Sequence, residues 1–207
     1  MVDFGKLKKK SGVLQSSDPV EIFRRLPKPP GINDLYTSQA EVLKSWYDRR
    51  NDKDVVLKLH TGGGKTLVGL LMAQSTIVET SEPVLYLAPN NQLVAQTIEK
   101  AQSLGISAVP YQAGSGIPLD DAFVNGQAIM VASYKALFNG LSKFKIRGAG
   151  NSQSVGAIIL DDAHVAFSEL RDAFTLTVSK EKNEETYRFL SSLFRSDFND
   201  IDSPRPC

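Results

Sequence analysis

The chain has 207 residues, of which 42% are hydrophobic and 23% charged, so it is long enough for one domain with a sizeable core but not for two of comfortable size. Its single cysteine, at the extreme carboxyl terminus, excludes an internal disulfide framework and indicates a reducing compartment, which we take to be the cytoplasm. No apolar run reaches membrane-spanning length, and a formal net charge of +1 excludes an overall basic surface for nucleic acid.

The first part of the chain predicts little regular structure. Residues 1–34 contain three prolines between positions 27 and 30 and read as an irregular lead-in, with a short helix near residues 19–26. Thr37 or Ser38 then provides an N-cap for a helix that runs to about residue 50. Apolar side chains follow at helical spacing on this segment (Val42, Leu43 and Trp46).

A glycine-rich stretch is the most informative segment of the chain. Residues 60–66 read His-Thr-Gly-Gly-Gly-Lys-Thr, between an apolar run that predicts a strand over 54–59 and a run that predicts a helix over 65–79. A tight glycine loop in this position lets backbone N–H groups and a helix N-terminus converge on a phosphate chain. The strict form of the loop has a glycine where this chain has Leu59, so the loop is a relaxed variant.

Two side chains give this loop its chemistry. Lys65 is placed to reach the outer phosphates of a nucleotide, and the Thr66 hydroxyl is placed to ligate Mg²⁺. The residues leave a plainer alternative open, a strand-to-helix turn that binds nothing. A Lys-Thr pair directly after three glycines has little use in such a turn.

Strands and helices alternate through the rest of the chain, which predicts a parallel sheet with right-handed crossovers. Asn183 is the expected N-cap of a last helix, with Tyr187, Leu190 and Phe194 on one face. The other predicted elements are a strand over 83–88, a helix over 91–103, strands over 106–111 and 127–132, a short helix over 134–140 and a strand over 155–160.

A pair of acids follows the last predicted strand. Asp161 and Asp162 stand at its carboxyl end, which is where open parallel sheets bind ligands. Asp161 is placed to hold Mg²⁺ directly or through water, and Asp162 to orient or deprotonate an attacking water. Two solvated acids at the start of a turn are the alternative, and the glycine loop upstream makes that alternative the weaker one.

Taken together, these segments resemble the first RecA-like domain of the superfamily 2 helicases and translocases, the DEAD/DEAH-box group. The resemblance covers about residues 35–165, in the order and spacing of the family. Gln39 lies near the position of the family's adenine-reading glutamine. The matching segments are residues 60–66 (motif I), 87–96 (motif Ia), 131–137 (motif Ib) and 161–164 (motif II, as Asp-Asp-Ala-His with Asp in place of Glu).

The resemblance implies an α/β fold, a RecA-like P-loop domain with a mostly parallel sheet flanked by helices, and ATP and Mg²⁺ as cofactors. It implies that Thr66 and Asp161 hold the metal and that Lys65, Asp161 and Asp162 are catalytic. The implied nucleotide-binding residues are Gln39, Thr61, Gly62, Gly63, Gly64, Lys65 and Thr66.

The aspartate at position 162 departs from the family pattern. Its carboxylate lies one methylene, about 1.5 Å, nearer the backbone than that of a glutamate. A general base must lie within hydrogen-bond distance of the proton that it removes, so a small displacement of its carboxylate matters. Either the loop advances to compensate, or hydrolysis is slow.

Nucleic-acid contacts are expected at the strand ends of motifs Ia and Ib. Backbone N–H groups of the helix that follows Pro89 can bind a phosphate without reading base sequence, and Asn90, Gln92 and Ser133 can add side-chain contacts. An ordinary strand-to-helix junction is the alternative. Basic residues at 6–10 and at 143–147 are either solvated or local phosphate contacts.

The two histidines carry weaker expectations. His164 is a surface residue at the start of a helix or, by the resemblance, a polar link to motif III or a neighbouring domain. A metal-ligand role is disfavoured because no cysteine or second clustered histidine supports it. His60 is expected to shape the entrance of the glycine loop.

Helicases of this group have a second RecA-like domain that carries arginine fingers, and the chain contains no match to its motifs. Residues 175–177 match motif III poorly. We therefore expect residues 35–207 to form the first RecA-like domain of a longer protein, ending before motif III and the second domain. A stand-alone single-domain ATPase is the alternative.

Two functions are compatible with these residues. The leading one is the N-terminal ATP-binding domain of an ATP-dependent helicase or translocase, an ATP hydrolase that is poorly active by itself, with DNA and RNA both open as its polymer. The other is a nucleotide-dependent binding or regulatory module without productive turnover.

Overall fold

A four-stranded parallel sheet lies at the centre of the structure, a computed structural model that describes residues 16–27, 34–60, 62–114, 116–140, 142–144 and 152–195. The strands stand in the order β2-β3-β1-β4, and all three pairings are parallel. The sheet confirms the predicted parallel α/β fold. The strands are β1 (Val84–Ala88), β2 (Ala108–Pro110), β3 (Ile129–Ser133) and β4 (Ala157–Leu160).

Helices precede, follow and connect these strands. The connections between paired strands run through helices, as parallel pairing requires. The helices in the described residues are α1 (Pro19–Arg25), α2 (Thr37–Asp48), α3 (Lys65–Thr80), α4 (Asn91–Ser103), α5 (Asp121–Val124), α6 (Tyr134–Leu137), α7 (Ala163–Ala173) and α8 (Glu184–Leu193).

The alternation of side chains along β1 separates two hydrophobic cores. Val84 and Tyr86 enter the first core, which α1, α2, α3 and α4 cover. Leu85 and Leu87 enter the second core on the opposite face, together with Phe123 and residues of α6 and α7. All five residues of β1 are buried, which explains why this strand reads as a continuous apolar run.

Most predicted elements agree with the structure to within a few residues, but the strand predicted over 54–59 is wrong. Residues 54–60 belong to none of the strands that the structure describes. Val55, Leu57 and Leu59 are half-buried, whereas Val56 is 93% exposed. The alternating burial of a strand is therefore present, but the hydrogen-bonded ladder that defines one is not.

The helices differ from the predictions in three further details. Tyr36, rather than Thr37 or Ser38, is the N-cap residue of α2. Asn183 occupies the N-cap position of α8 as predicted, but its side chain makes no capping hydrogen bond. Helix α5, which has one turn, was not predicted, and α7 was anticipated only in that His164 was expected at the start of a helix.

The described residues up to Leu170 form one compact unit, and the described residues from Arg171 onward form a second. In the second unit, α8 has no buried residue, and Tyr187, Phe189, Leu193 and Phe194 are each 40% or more exposed. Of the helices that the structure describes, none has the length and hydropathy needed to cross a bilayer.

Candidate nucleotide-binding site

The glycine loop forms the entrance to α3. Gly62 and Gly64 have φ values of 82° and 73°, in the left-handed region that glycine occupies at no steric cost. The Gly63 amide donates to the His60 carbonyl at 3.0 Å, which closes the turn. Gly64 is the N-cap residue of α3, so Lys65 and Thr66 begin the helix, as predicted. Thr61, also predicted to bind nucleotide, lies outside the described residues.

Gln39 holds this loop in place from α2. Its side chain is 3% exposed. The amide nitrogen donates to the Gly63 carbonyl at 3.0 Å, and the amide oxygen accepts from the Tyr36 backbone N–H at 3.1 Å. A side chain at Gly64 would overlap the Gln39 amide, so the glycine makes this close approach possible. Both ends of the Gln39 amide therefore have backbone partners.

An ion pair joins the glycine loop to the acid pair. The Lys65 Nζ atom lies 2.6 Å from Asp162 Oδ1, although the two residues are 97 positions apart in the chain. The hydrogen bond to Asp162 raises the pKa of Lys65 above its usual value, so the amine remains a cation. Each side chain is about one-third exposed, which leaves this pair accessible to a ligand.

Asp161 is fixed by three hydrogen bonds. Its backbone N–H donates to the Leu87 carbonyl at 2.9 Å, and its carbonyl accepts from the Tyr134 hydroxyl. The Tyr86 hydroxyl donates to Asp161 Oδ2 at 3.0 Å. Burial raises the pKa of Asp161, and the hydrogen bond from Tyr86 acts in the opposite direction. Burial also raises the pKa values of Tyr86 and Tyr134 well above their usual range, so both hydroxyls remain donors.

Asp162 adopts an unusual backbone conformation. Its φ of 51° lies in the left-handed region. Its carbonyl accepts from the Val165 N–H at 2.8 Å at the start of α7. The turn therefore directs the backbone into α7 while the carboxylate of Asp162 reaches Lys65.

The oxygen atoms near the acid pair suit Mg²⁺. Thr66 offers a hydroxyl and Asp161 a carboxylate, and hard oxygen donors are the ligands that this ion prefers. No group of three or more His, Cys, Asp or Glu side chains able to hold a metal occurs in the described residues. A cation held by one or two protein oxygens, with phosphates and water supplying the rest, fits this donor set.

A cavity of about 760 Å³ lies beside the loop, between the start of α2, the start of α3 and one face of α4. Tyr36, Gln39 and Thr66 form part of its wall, with Gln96 and Lys100 from α4. Tyr36 is 73% exposed, so its ring is available to a ligand. The volume is in the range of small-molecule sites, about 300–1,000 Å³.

Comparison with known proteins agrees with this geometry. Residues 36–192 match the family model of the DEAD/DEAH box helicases. The chain belongs to this family. It is also 27% identical over 154 residues to the ATP-dependent DNA helicase Hel308 of Thermococcus kodakarensis, an alignment that covers 74% of this chain and 13% of the relative. The chain therefore spans a small part of that relative's length.

Membership of the DEAD/DEAH box helicases confirms the resemblance seen in the sequence and the RecA-like type of the fold. The loop and the acid pair both lie within the matched residues, and the structure brings Gly62, Gly63 and Gly64 together with Lys65 and Asp162. The individual roles of these residues stay predictions.

The residues predicted to contact nucleic acid lie at the carboxyl ends of β1 and β3. Ala88 pairs in register with Ser133, which brings Pro89 close to the end of the neighbouring strand. The Asn90 side chain caps α4 by accepting from the Leu93 N–H at 3.0 Å, and Gln92 is exposed. Asn90 therefore has a structural role, and contact with nucleic acid stays a prediction for these residues.

The structure describes some of the remaining polar residues with predicted roles. His164 is exposed in the first turn of α7, and His60 is exposed at the loop entrance. Lys143 donates to the Gln112 carbonyl at 2.6 Å and lies over the Tyr111 ring at 5.2 Å from its centroid. Residues 6–10, Lys145 and Arg147 lie outside the described residues.

The sequence analysis did not predict the contacts that three tyrosines make at the site. Tyr36 borders the cavity, while Tyr86 and Tyr134 hold Asp161. Tyr86 carried a usable signal, because a hydroxyl in an otherwise apolar, buried strand requires a hydrogen-bond partner.

Proposed function

We propose that this chain is the ATP-binding domain of an ATP-dependent nucleic-acid helicase or translocase, and that it acts as the first RecA-like domain of a longer protein. The observation that carries the proposal is the ion pair of 2.6 Å between Lys65 at the glycine loop and Asp162 at the end of β4. It joins the two motifs that phosphoryl transfer requires, a phosphate-binding loop and an acid next to the metal. No observation favours a regulatory module without turnover.

In this proposal the start of α3 holds the triphosphate. Backbone N–H groups of the first turn of α3 face the phosphates, and Lys65 exchanges Asp162 for the outer phosphate oxygens. Thr66 and Asp161 hold Mg²⁺, which when bound offsets the phosphate charge. Asp162, released from Lys65, orients or deprotonates the water that attacks the terminal phosphate.

The cavity beside the loop is proposed to hold the base and the ribose. Tyr36 offers an exposed ring for stacking, and Gln39 borders the same space. The Gln39 amide is engaged with Tyr36 and Gly63, so we assign its main contribution to fixing the loop. Reading of adenine by Gln39 would require an exchange of one of these hydrogen bonds.

The proposed partners are a nucleic-acid strand and a second RecA-like domain. The strand would contact the backbone at the start of α4, near Pro89, Asn90, Gln92 and Ser133. The second domain would close the cleft and supply arginine fingers. We propose DNA as the first polymer to test, because the relative from Thermococcus kodakarensis is a DNA helicase. We propose the cytoplasm as the location, since the sequence contains a single cysteine.

ATP hydrolysis by the full-length protein, measured with and without single-stranded DNA or RNA, tests the proposal. We expect nucleic acid to stimulate turnover. The 207-residue chain alone should hydrolyse ATP slower by roughly 10³–10⁵-fold, which is what arginine fingers contribute. Tight ATP binding without stimulated turnover in the full-length protein would instead indicate a regulatory module.

A matched pair of variants tests the phosphate loop itself. Lys65→Ala should lower the affinity for a fluorescent ATP analogue about tenfold or more, since it removes a charge-assisted contact. Lys58→Ala removes the same charge from an exposed residue before the loop and should leave the affinity unchanged. Equal affinities of Lys65→Ala and the unmodified protein would exclude the phosphate-loop interpretation.

A further inference from the structure

One buried hydroxyl contacts a proposed metal ligand. Tyr86, near the centre of β1, donates to Asp161 Oδ2 at 3.0 Å. Thr66 lies one helical turn before Gly69, the residue of α3 that borders this hydroxyl. The two oxygens proposed to hold Mg²⁺ come from different elements, the start of α3 and the end of β4, and Tyr86 hydrogen-bonds the second of them.

The packing around Tyr86 fixes the position of this hydroxyl. The side chain is 1% exposed and is part of the first core, beneath α3. Gly69 of α3 borders the ring at its Cε2 edge, because a Cβ at Gly69 would come within 2.8 Å of Tyr86 Cε2 and 3.3 Å of its hydroxyl. A glycine inside a helix costs about 0.5–1 kcal/mol relative to alanine. Here the glycine provides the space that the ring requires.

A purely structural role for Tyr86 would explain the position of its ring but not the contact of its hydroxyl. A core tyrosine satisfies its hydroxyl wherever a partner is available, and phenylalanine would fill the same volume in the first core. That role explains the burial of the ring. It gives no reason for the hydroxyl to be directed at the Asp161 carboxylate, a proposed ligand of Mg²⁺.

We propose that Tyr86 is a positioning residue for Mg²⁺: its hydroxyl holds the Asp161 carboxylate in the orientation in which it can ligate the ion together with Thr66. This inference rests on the proposed function, since it concerns the metal of the same site. Side chains that orient metal ligands contribute about 10–100-fold to metal affinity. Tyr86 therefore acts on metal binding rather than on the nucleotide directly.

The experiment measures binding of a fluorescent ATP analogue to the full-length protein as Mg²⁺ is titrated, and again in the presence of a chelator. In Tyr86→Phe we expect the Mg²⁺ concentration for half-maximal enhancement of binding to rise about tenfold. The affinity measured in chelator should not change. Tyr47→Phe is the matched control, because it removes a tyrosine hydroxyl that hydrogen-bonds Ser17 at 2.8 Å, away from the site. It should retain the original Mg²⁺ dependence.

Two results would overturn the inference. One is an unchanged Mg²⁺ dependence in Tyr86→Phe; the other is an equal loss of affinity with and without the metal, which would indicate a general collapse of the site. Gly69→Ala provides a second route if Tyr86→Phe is poorly folded, since it displaces the ring without removing the hydroxyl. It should also raise the Mg²⁺ concentration for half-maximal enhancement of binding. The unmodified protein tests the proposed function separately, because failure of that protein to bind the analogue would exclude the ATP site itself.

Discussion

Strands β1 and β4 are neighbours in one sheet, and they differ in how far they are buried. All five residues of β1 are buried, whereas residues along β4 alternate between half-buried and exposed. Leu85 of β1 is 0% exposed, and its partner in register, Ile158 of β4, is 47% exposed. The first core reaches Ala157 and Ile159 on one face of β4, but among the described residues the second core does not reach Ile158.

The two strands therefore contribute differently, β1 mainly to the stability of the sheet and β4 mainly to the candidate site. β1 contributes side chains to both cores and hydrogen-bonds a strand on each side. β4 contributes less to packing, but the acid pair follows it directly. A loop at the end of the less buried strand can keep its carboxylates accessible to solvent and ligand.

The largest expected effect is on stability. Leu85→Ala should lower the free energy of unfolding by about 2–5 kcal/mol, because it leaves a cavity in the second core. Ile158→Ala removes a half-exposed side chain from the same row of the sheet and should cost about 1 kcal/mol. Urea denaturation of both variants measures the two values. Equal costs would show that β4 is as well packed as β1.

A smaller effect is expected at the end of β4. Asp162→Asn in the full-length protein keeps the size of the side chain and removes its charge. Turnover should fall about 10²-fold or more, the usual contribution of a positioned base. Mg²⁺-ATP binding should remain nearly intact, because Thr66 and Asp161 still ligate the metal. Steady-state turnover, measured beside nucleotide affinity, tests this.

Asp162→Glu distinguishes the two explanations of the shorter acid. If the loop has advanced to suit aspartate, the longer side chain will overshoot and lower turnover; if it has not, glutamate will raise turnover. Unchanged turnover in Asp162→Asn would exclude Asp162 as the base and leave the acid pair as a metal site.

The smallest effect is expected at the end of β1, where Asn90 caps α4. Asn90→Ala should cost about 1 kcal/mol of stability through loss of the cap. Asn90→Asp keeps the cap but adds a negative charge, so it should lower nucleic-acid affinity a few-fold while stability is retained. Binding of labelled single-stranded DNA at fixed salt, with thermal unfolding in parallel, separates these roles. An unchanged affinity in Asn90→Asp would place the nucleic-acid contact elsewhere.

Local sequence patterns predicted the elements whose neighbours in the chain determine them. The helix over 91–103 was predicted to the residue, because Asn90 and the preceding Pro89 mark its start. The strand over 54–59 was wrong because ladder pairing depends on a neighbouring strand, which an apolar run does not specify. The one-turn helix α5 offered too few residues for any periodicity.

The site was predicted as a set of residues but not as a set of contacts. Glycines and acids identified Lys65 and Asp162 individually. Their direct ion pair and the two backbone partners of Gln39 depend on tertiary approach. The contacts of Tyr86 and Tyr134 with Asp161 were not predicted, because tyrosine is common in buried strands and helices and only the geometry reveals what its hydroxyl contacts.

The φ of 51° at Asp162 restricts which amino acids this position accepts. Left-handed backbone costs most residues about 1–2 kcal/mol, whereas short polar residues such as Asp and Asn tolerate it far better. Asparagine and glycine would accept the torsion without supplying a negative charge, and glutamate would supply the charge at a higher conformational cost. Aspartate satisfies both requirements. Aspartate, which the sequence analysis interpreted as a departure from the family pattern, is therefore the acidic residue that the turn into α7 accommodates best.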